Sequence, residues 1–236
     1  MRILHGCDPE VFLRDKKTKD FVSAFGKFPG TKAEPFKIER GAVQVDGMAL
    51  EFNIDPVDNE KDFIQNIDIV LAQMNEMVRT NAPDCEIAFE PYASFDPIYF
   101  MLQPFEPKQL GCEPDFDDQG NEKAPSAEVQ DKPFRTAAGH YHIGFTKGQN
   151  PREASHFGKC MTIAKEFKNA EGFVPVTTNE QKRTALYGKP GSFRPKPYGI
   201  ELRSPSNRWV ETRDGRAKMF NIVQKKMSEL APRLGL

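Results

Sequence analysis

Several things that would mark a function class are missing from this chain. No run of residues approaches the ~20 consecutive apolar positions that a membrane-spanning helix needs. Neither charge prevails: 33 Lys and Arg stand against 34 Asp and Glu, a formal net charge of −1. That balance removes the broad basic surface of a general nucleic-acid binder and leaves only a local basic groove as a route to one. The 4 cysteines, Cys7, Cys85, Cys112 and Cys160, are scattered without a CxxC pair, which argues against a zinc ribbon and a disulfide scaffold and for buried thiols. Walker A and GxGxxG sequences are both missing, so the common glycine-rich cradles are not available to hold a phosphate. The N-terminus, "MRILHGCDPEVF", shows no apolar stretch before a small-residue cleavage site, so a cytoplasmic location is expected.

What is present is the composition of a soluble globular protein, with 38% hydrophobic and 28% charged residues. The length of 236 residues suffices for a substantial core, and no shift in composition divides it, so one domain over 1–236 is expected. The pattern along the chain alternates between two periods. "EVFLRD" sets Val11 and Leu13 against Glu10, and in "AVQVDGMALEFNIDP" Leu50, Phe52 and Ile54 alternate with Glu51, Asn53 and Asp55. Both are strand patterns. "EIAFEPY" also reads as a strand. From Glu60 to Thr80 the apolar residues Phe63, Ile67, Leu71, Met74 and Met77 fall at helical spacing, with Asp58 or Asn59 as the cap and Pro83 beyond the end. Helical spacing returns over Pro151 to Ala170 and again from about Asp214 to Leu230. Between them, "LYGKPGSFRPKPYG" has the composition of a linker, and Asp115 to Pro133 that of a long loop that could set specificity.

The most informative stretch is "RTAAGHYHIGF", Arg135 to Phe145. On a strand, His140 and His142 share one face while Tyr141, Ile143 and Phe145 share the other. The same division, apolar back and chemical front, recurs with Glu10, with Glu51 and Asn53, and with Glu201 and Arg203 of "IELRSP". If these strands share a sheet with helices on the apolar side, the acids and imidazoles converge on one surface. Solvent exposure alone also produces such alternating charge. Carboxylates gathered this closely repel unless a cation sits among them, and a glutamate majority favours magnesium or manganese over zinc. Arg135, Arg194, Lys196 and Arg203 surround the acids, the arginines offering guanidinium forks suited to phosphate oxygens and Lys196 an ammonium charge, which suggests a nucleoside triphosphate site.

The set "GCDPEVF", "DGMALEFNIDP", "RTAAGHYHIGF" and "RPKPYGIELRSPSN", running from Gly6 to Asn207, resembles the carboxylate-amine ligases of the glutamine synthetase and glutamate-cysteine ligase superfamily. More closely it resembles the phage-encoded COOH-NH2 ligase type 2 amidoligases. The resemblance implies an α+β fold in which a curved antiparallel sheet carries the site on its concave face, with helices on the convex face. It implies an ATP-dependent reaction that joins a carboxylate to an amine through an acyl phosphate, with Mg2+ or Mn2+ as cofactor. Glu10, Glu51 and Glu201 match the metal glutamates. His142 is expected at a metal or phosphate, and His140 as a ligand-orienting or proton-accepting group. Arg203 and Arg194 are expected in catalysis, and Arg135, Lys196, Asn53 and Arg203 at the nucleotide. Asp8 stands where some relatives carry a further metal-binding acid, although a proline follows it here. "GCEPDFD", Gly111 to Asp117, echoes "GCDPEVF", by chance or as a substrate-facing loop with Glu113 and Asp115. Partners are then small: amino acids, peptides or a protein tail supplying carboxylate and amine, with no membrane and no nucleic acid, and with room for an oligomer. Two other readings stay open, a metal-dependent hydrolase using the His140 and His142 pair and a non-catalytic phage protein that keeps the fold.

Overall fold

The computed structural model describes residues 2–109, 114–123 and 130–236, so the expectations on Cys112 and Glu113 lie outside the described residues. The chain opens with a long strand, β1 (Leu4–Asp15), followed by the short β2 (Phe21–Val22) and β3 (Phe36–Ile38). A hairpin follows, β4 (Gly41–Asp46) and β5 (Ala49–Ile54), then helix α1 (Glu60–Asn81). β6 (Cys85–Ala88), β7 (Tyr92–Ser94), α2 (Pro97–Met101), β8 (Asp115–Phe116), β9 (Glu122–Lys123), β10 (Phe134–Thr136) and β11 (Gly139–Gly144) lead to the helices α3 (Ala154–Phe167) and α4 (Thr178–Leu186). β12 (Phe193–Lys196), β13 (Gly199–Leu202) and α5 (Arg213–Leu234) complete the fold.

The architecture is α+β. A large antiparallel sheet runs in the order β3-β4-β5-β1-β11-β13-β12-β8-β9, with β2 and β6 also paired to β1. The alternation read from the sequence decides which face is covered. Cys7, Val11 and Leu13 of β1, Leu50, Phe52 and Ile54 of β5, Tyr141 and Ile143 of β11 and Ile200 and Leu202 of β13 all point into one core, against α1, α3 and α5. Helix α1 buries Phe63, Ile67, Leu71 and Met74 there, and its cap is Asn59, whose side chain accepts from the Asp62 N–H. Among the described residues no helix is long and apolar enough to cross a membrane.

Four local expectations change. The "AVQVDGMALEFNIDP" run is two strands, because Asp46 and Ala49 pair and the two residues between them turn the chain. Gly47 takes φ +58 at the first turn position, which a side chain would resist. "RTAAGHYHIGF" is not one strand either: β10 leaves the main sheet and pairs with β7 in a separate ribbon. The crossing is fixed at Ala138, whose N–H donates to the Glu10 carboxylate and whose carbonyl accepts from the Glu10 N–H. The stretch read as a linker contains β12, whose Pro195 pairs with Ile200 of β13. Among the described residues β8 pairs with β12 only opposite Phe193, so the missing N–H of Pro195 costs little on that side. Finally, α4 lies where no helix was expected. Thr177 and Glu180 form a reciprocal capping box that satisfies its first N–H groups.

The front of the sheet is not open along its whole length. Phe12 shares the face of Asp8 and Glu10, yet it is fully buried in a second small core with Met48, Phe95 and Phe100. That core, carried by β7, α2 and the hairpin turn, closes one end of the front face and leaves the other as a cavity.

Candidate active site

The cavity on the front face has a volume of about 570 Å³. Strand register fills it with chemistry. Across the sheet Gly6 pairs with His142, His142 with Glu201, and Glu201 with Arg194. In parallel, Gln44 pairs with Glu51 and Glu51 with Glu10, while Asp8 pairs with His140. Directly paired residues stand within side-chain reach of each other. The cavity is therefore lined by Glu10, Glu51, Asn53, His140, His142, Arg194, Lys196, Glu201 and Arg203, nine positions singled out from the sequence.

Arg135 is the exception, and its expected place at the nucleotide is corrected. It is 7% exposed, and its guanidinium donates to the carbonyls of Lys132, Phe134, Lys108 and Gln130 while lying 4.7 Å over the Phe100 ring. Because β10 belongs to the ribbon, Arg135 clamps the segments around it and does not line the cavity. The structure adds residues that the sequence reading had passed over. Asp46 continues the front face of β4 past Gln44, an alternation visible in "AVQVD". Tyr187 and Tyr198 carry no such signal, since both lie outside strands.

Charge is sorted across the strands. At the β13 and β12 side, Glu201 is fully buried and its carboxylate meets Lys196 at 2.9 Å, Arg194 at 3.4 Å and Arg203 in close contact. Burial pushes the Glu201 carboxyl up, as does Asp8, but His140, Lys196 and His142 outweigh both and hold it below the usual glutamate value. Arg203 also reaches Asp115 at 3.3 Å and stacks 5.1 Å from the Tyr187 ring. Behind it, the buried Arg183 donates to the carbonyls of Arg203 and Ser204.

In the centre, His142 Nδ1 meets the Tyr198 hydroxyl and Nε2 faces Asp8 Oδ1 at 2.8 Å. His140 Nδ1 lies 3.3 Å from Asp8 Oδ1, and its Nε2 is 3.2 Å from the Tyr187 hydroxyl. Burial, then the Arg203 charge, push the His140 pKa down to about 4, so its imidazole is neutral at pH 7. Asp8 goes the other way. Burial opposes its charge, yet the imidazoles of His142 and His140 hold its carboxyl well below the ordinary value.

At the β4, β5 and β1 side, the acids meet mostly neutral donors: Glu10 accepts from the Ala138 N–H at 2.8 Å and Glu51 from the Gln44 amide at 2.8 Å. Asp46 lies 3.5 Å from Lys32. Burial, then Asp46, raise the Glu10 pKa to about 7, and burial, then Asp8 and Glu10, raise Glu51 well above its usual value. These carboxylates lack the dense ring of cations around Glu201, and a bound cation would relieve them.

Among the described residues, two groups have donor atoms near enough to share a metal ion, each with its atoms within 4.8 Å of one another: Asp8, His142 and Glu201, and Glu10, Asp46 and Glu51. The first passes a test of fit. Its ligands would be one imidazole nitrogen and two carboxylates already drawn together, with His142 Nε2 2.8 Å and His140 Nδ1 3.3 Å from Asp8 Oδ1, a donor set that suits a divalent metal ion. The second, three hard oxygen donors, suits magnesium or manganese. No known family model matches the chain, and no curated protein matches it.

Proposed function

We propose that this protein is an ATP-dependent carboxylate-amine ligase of the glutamine synthetase-like kind, activating a carboxylate as an acyl phosphate and passing it to an amine. One observation carries the reading: acids, imidazoles and guanidiniums are ordered across adjacent strands of one cavity, with Asp8, Glu10, Asp46 and Glu51 on β1, β4 and β5 at one side and Arg194 and Lys196 on β12 and Arg203 just after β13 at the other. A polyphosphate needs both, cations of the protein on one side and carboxylates for divalent metal on the other.

Mg2+ or Mn2+ held by Glu10, Asp46 and Glu51, or by Asp8, His142 and Glu201, would neutralise phosphate charge and hold the reacting oxygens together. The chain's own groups supply the rest. Arg194, Lys196 and Arg203 carry positive charge at the cavity wall, where charge on a transferring phosphoryl group can be stabilised before reaction begins. Glu201 anchors all three cations in one place. His140, neutral and oriented by Tyr187, is a hydrogen-bonding and proton-accepting group beside Asp8. The second small core closes one end of the front face beside the cavity.

The experiment is incubation with ATP, magnesium and a pool of amino acids and peptides, followed by phosphate release and mass spectrometry. Condensed products appearing with phosphate are expected; neither product nor any effect of ATP on thermal stability overturns the proposal. The mixed nitrogen and oxygen donors of Asp8, His142 and Glu201 also suit a hydrolytic zinc ion. Tight zinc binding that ATP does not affect supports that second reading.

A further inference from the structure

We propose that a second cavity, behind the wall formed by Asp115, Tyr187 and Arg203, receives the amine co-substrate, with Asp115 holding its ammonium group. This rests on the ligase reading and specifies where its second substrate binds. The chamber has a volume of about 870 Å³ and is lined by Asp115, Asp118, Thr184, Tyr187, Lys189 and Ser192 among others. It does not share its lining with the metal and phosphate cavity, yet the two meet at one partition. Tyr187 lines the second chamber while its hydroxyl is 3.2 Å from His140 Nε2, which lines the first. Arg203 lines the first while its Nε is 3.3 Å from Asp115 Oδ2, which lines the second.

The chemistry of the chamber selects the ligand. Of its acids, Asp117 is folded into its own turn, accepting from Asn121 and Gln119, and lies 3.4 Å from Lys123. Asp118 is joined to Lys168 at 3.0 Å. Asp115 is different: it is 8% exposed and sits at the partition, and its partner is a guanidinium that also grips Glu201. Asp115 and Glu201 are thus held one guanidinium apart. A primary ammonium group bound against Asp115 arrives beside the basic wall where an acyl phosphate would lie, without crossing the phosphate site. The bond changes balance. The amine nitrogen forms the C–N bond, the acyl carbon releases its bridging oxygen to phosphate with the electron pair, and the two protons shed by the ammonium leave with phosphate and to solvent.

The test compares wild type, Asp115→Asn and Thr184→Trp, the last chosen to fill the chamber from α4. Each is given ATP, magnesium and an equimolar mixture of the twenty amino acids, with or without hydroxylamine, a nucleophile that is uncharged at neutral pH and needs no carboxylate to hold it. Condensed amides and hydroxamates are both measured, as is thermal protection by ATP with magnesium. Amide formation is expected to fall at least tenfold in both variants, with hydroxamate formation and ATP protection within twofold of wild type. Equal loss of amide and hydroxamate in Asp115→Asn makes Asp115 a support for Arg203 and overturns the inference, as does wild-type amide formation by Thr184→Trp. ATP protection and hydroxamate formation in wild type, with both variants unimpaired in amide formation, reject the chamber and leave the ligase reading standing. Neither protection nor either product in wild type removes both.

Discussion

His142 Nε2 stands 2.8 Å from Asp8 Oδ1, a contact made in the wall of the cavity. A divalent metal ion would take the Asp8 oxygen and the His142 nitrogen as ligands in place of that contact. Asp8→Asn and His142→Gln are each expected to weaken Mn2+ binding at least tenfold by isothermal titration calorimetry, with far-UV circular dichroism unchanged. Wild-type affinity in both variants would show that these atoms hold no metal.

Glu10 gives the metal site a pH dependence. Its folded pKa of about 7 lies above the ordinary 4.5, so as pH falls the folded state takes up the proton before the unfolded one. The metal-free protein therefore gains stability from this group as pH falls through 7 toward 4.5, by at most about 3 kcal/mol before solvent screening at the half-open cavity reduces it. Affinity for the cation runs the other way and rises as pH climbs through 7, because proton and metal compete. Glu10→Gln should flatten both profiles, measured by chemical denaturation with chelator and by Mn2+ titration. Profiles unchanged by the substitution would move the titration elsewhere.

His5 is the opposite case. It is fully buried, with Nδ1 2.8 Å from the Tyr141 hydroxyl and Nε2 2.9 Å from Gln224 Oε1, and its ring packs 4.3 Å from that of Phe220. Burial lowers its pKa below the ordinary 6.5 against the opposing pull of Gln224 and Asp58. The unfolded chain then binds the proton first, and stability is lost as pH falls below 6.5, at no more than about 1.4 kcal/mol per pH unit. Against His5→Gln, wild type should show this extra slope between pH 6.5 and 5 in urea melts. Parallel curves would mean that His5 takes up its proton equally in the folded and the unfolded chain.

Arg135→Met separates the clamp from the site. Losing the four carbonyl contacts of a nearly buried guanidinium should destabilise the fold by about 2 to 4 kcal/mol. The further stabilisation that ATP and magnesium confer should be the same as in wild type. If that increment vanished while the fold persisted, Arg135 would return to the nucleotide.

Sequence by itself determined which side of each strand is apolar, because the side-chain period of two is a local property of the backbone. Tyr141 and Ile143 against His140 and His142, or Phe52 against Glu51 and Asn53, needed no knowledge of neighbours. The same holds for α1, whose spacing and cap are written within one segment, and for α4, whose Thr177 and Glu180 carried a capping signal that the surrounding Gly, Pro and basic residues obscured. Tertiary structure decided everything that depends on who sits beside whom. Glu201 became the shared counterion of Arg194, Lys196 and Arg203 only when β12, hidden by Pro195, paired with β13. Arg135 left the site because the chain changes sheets at Ala138, a choice made by Glu10, 128 positions away. Asp46 joined Glu10 and Glu51 through a hairpin and a register. Periodicity fixes a face; only long-range pairing, where the entropy of closing the chain is set against hydrogen bonds and burial, fixes the neighbours on it.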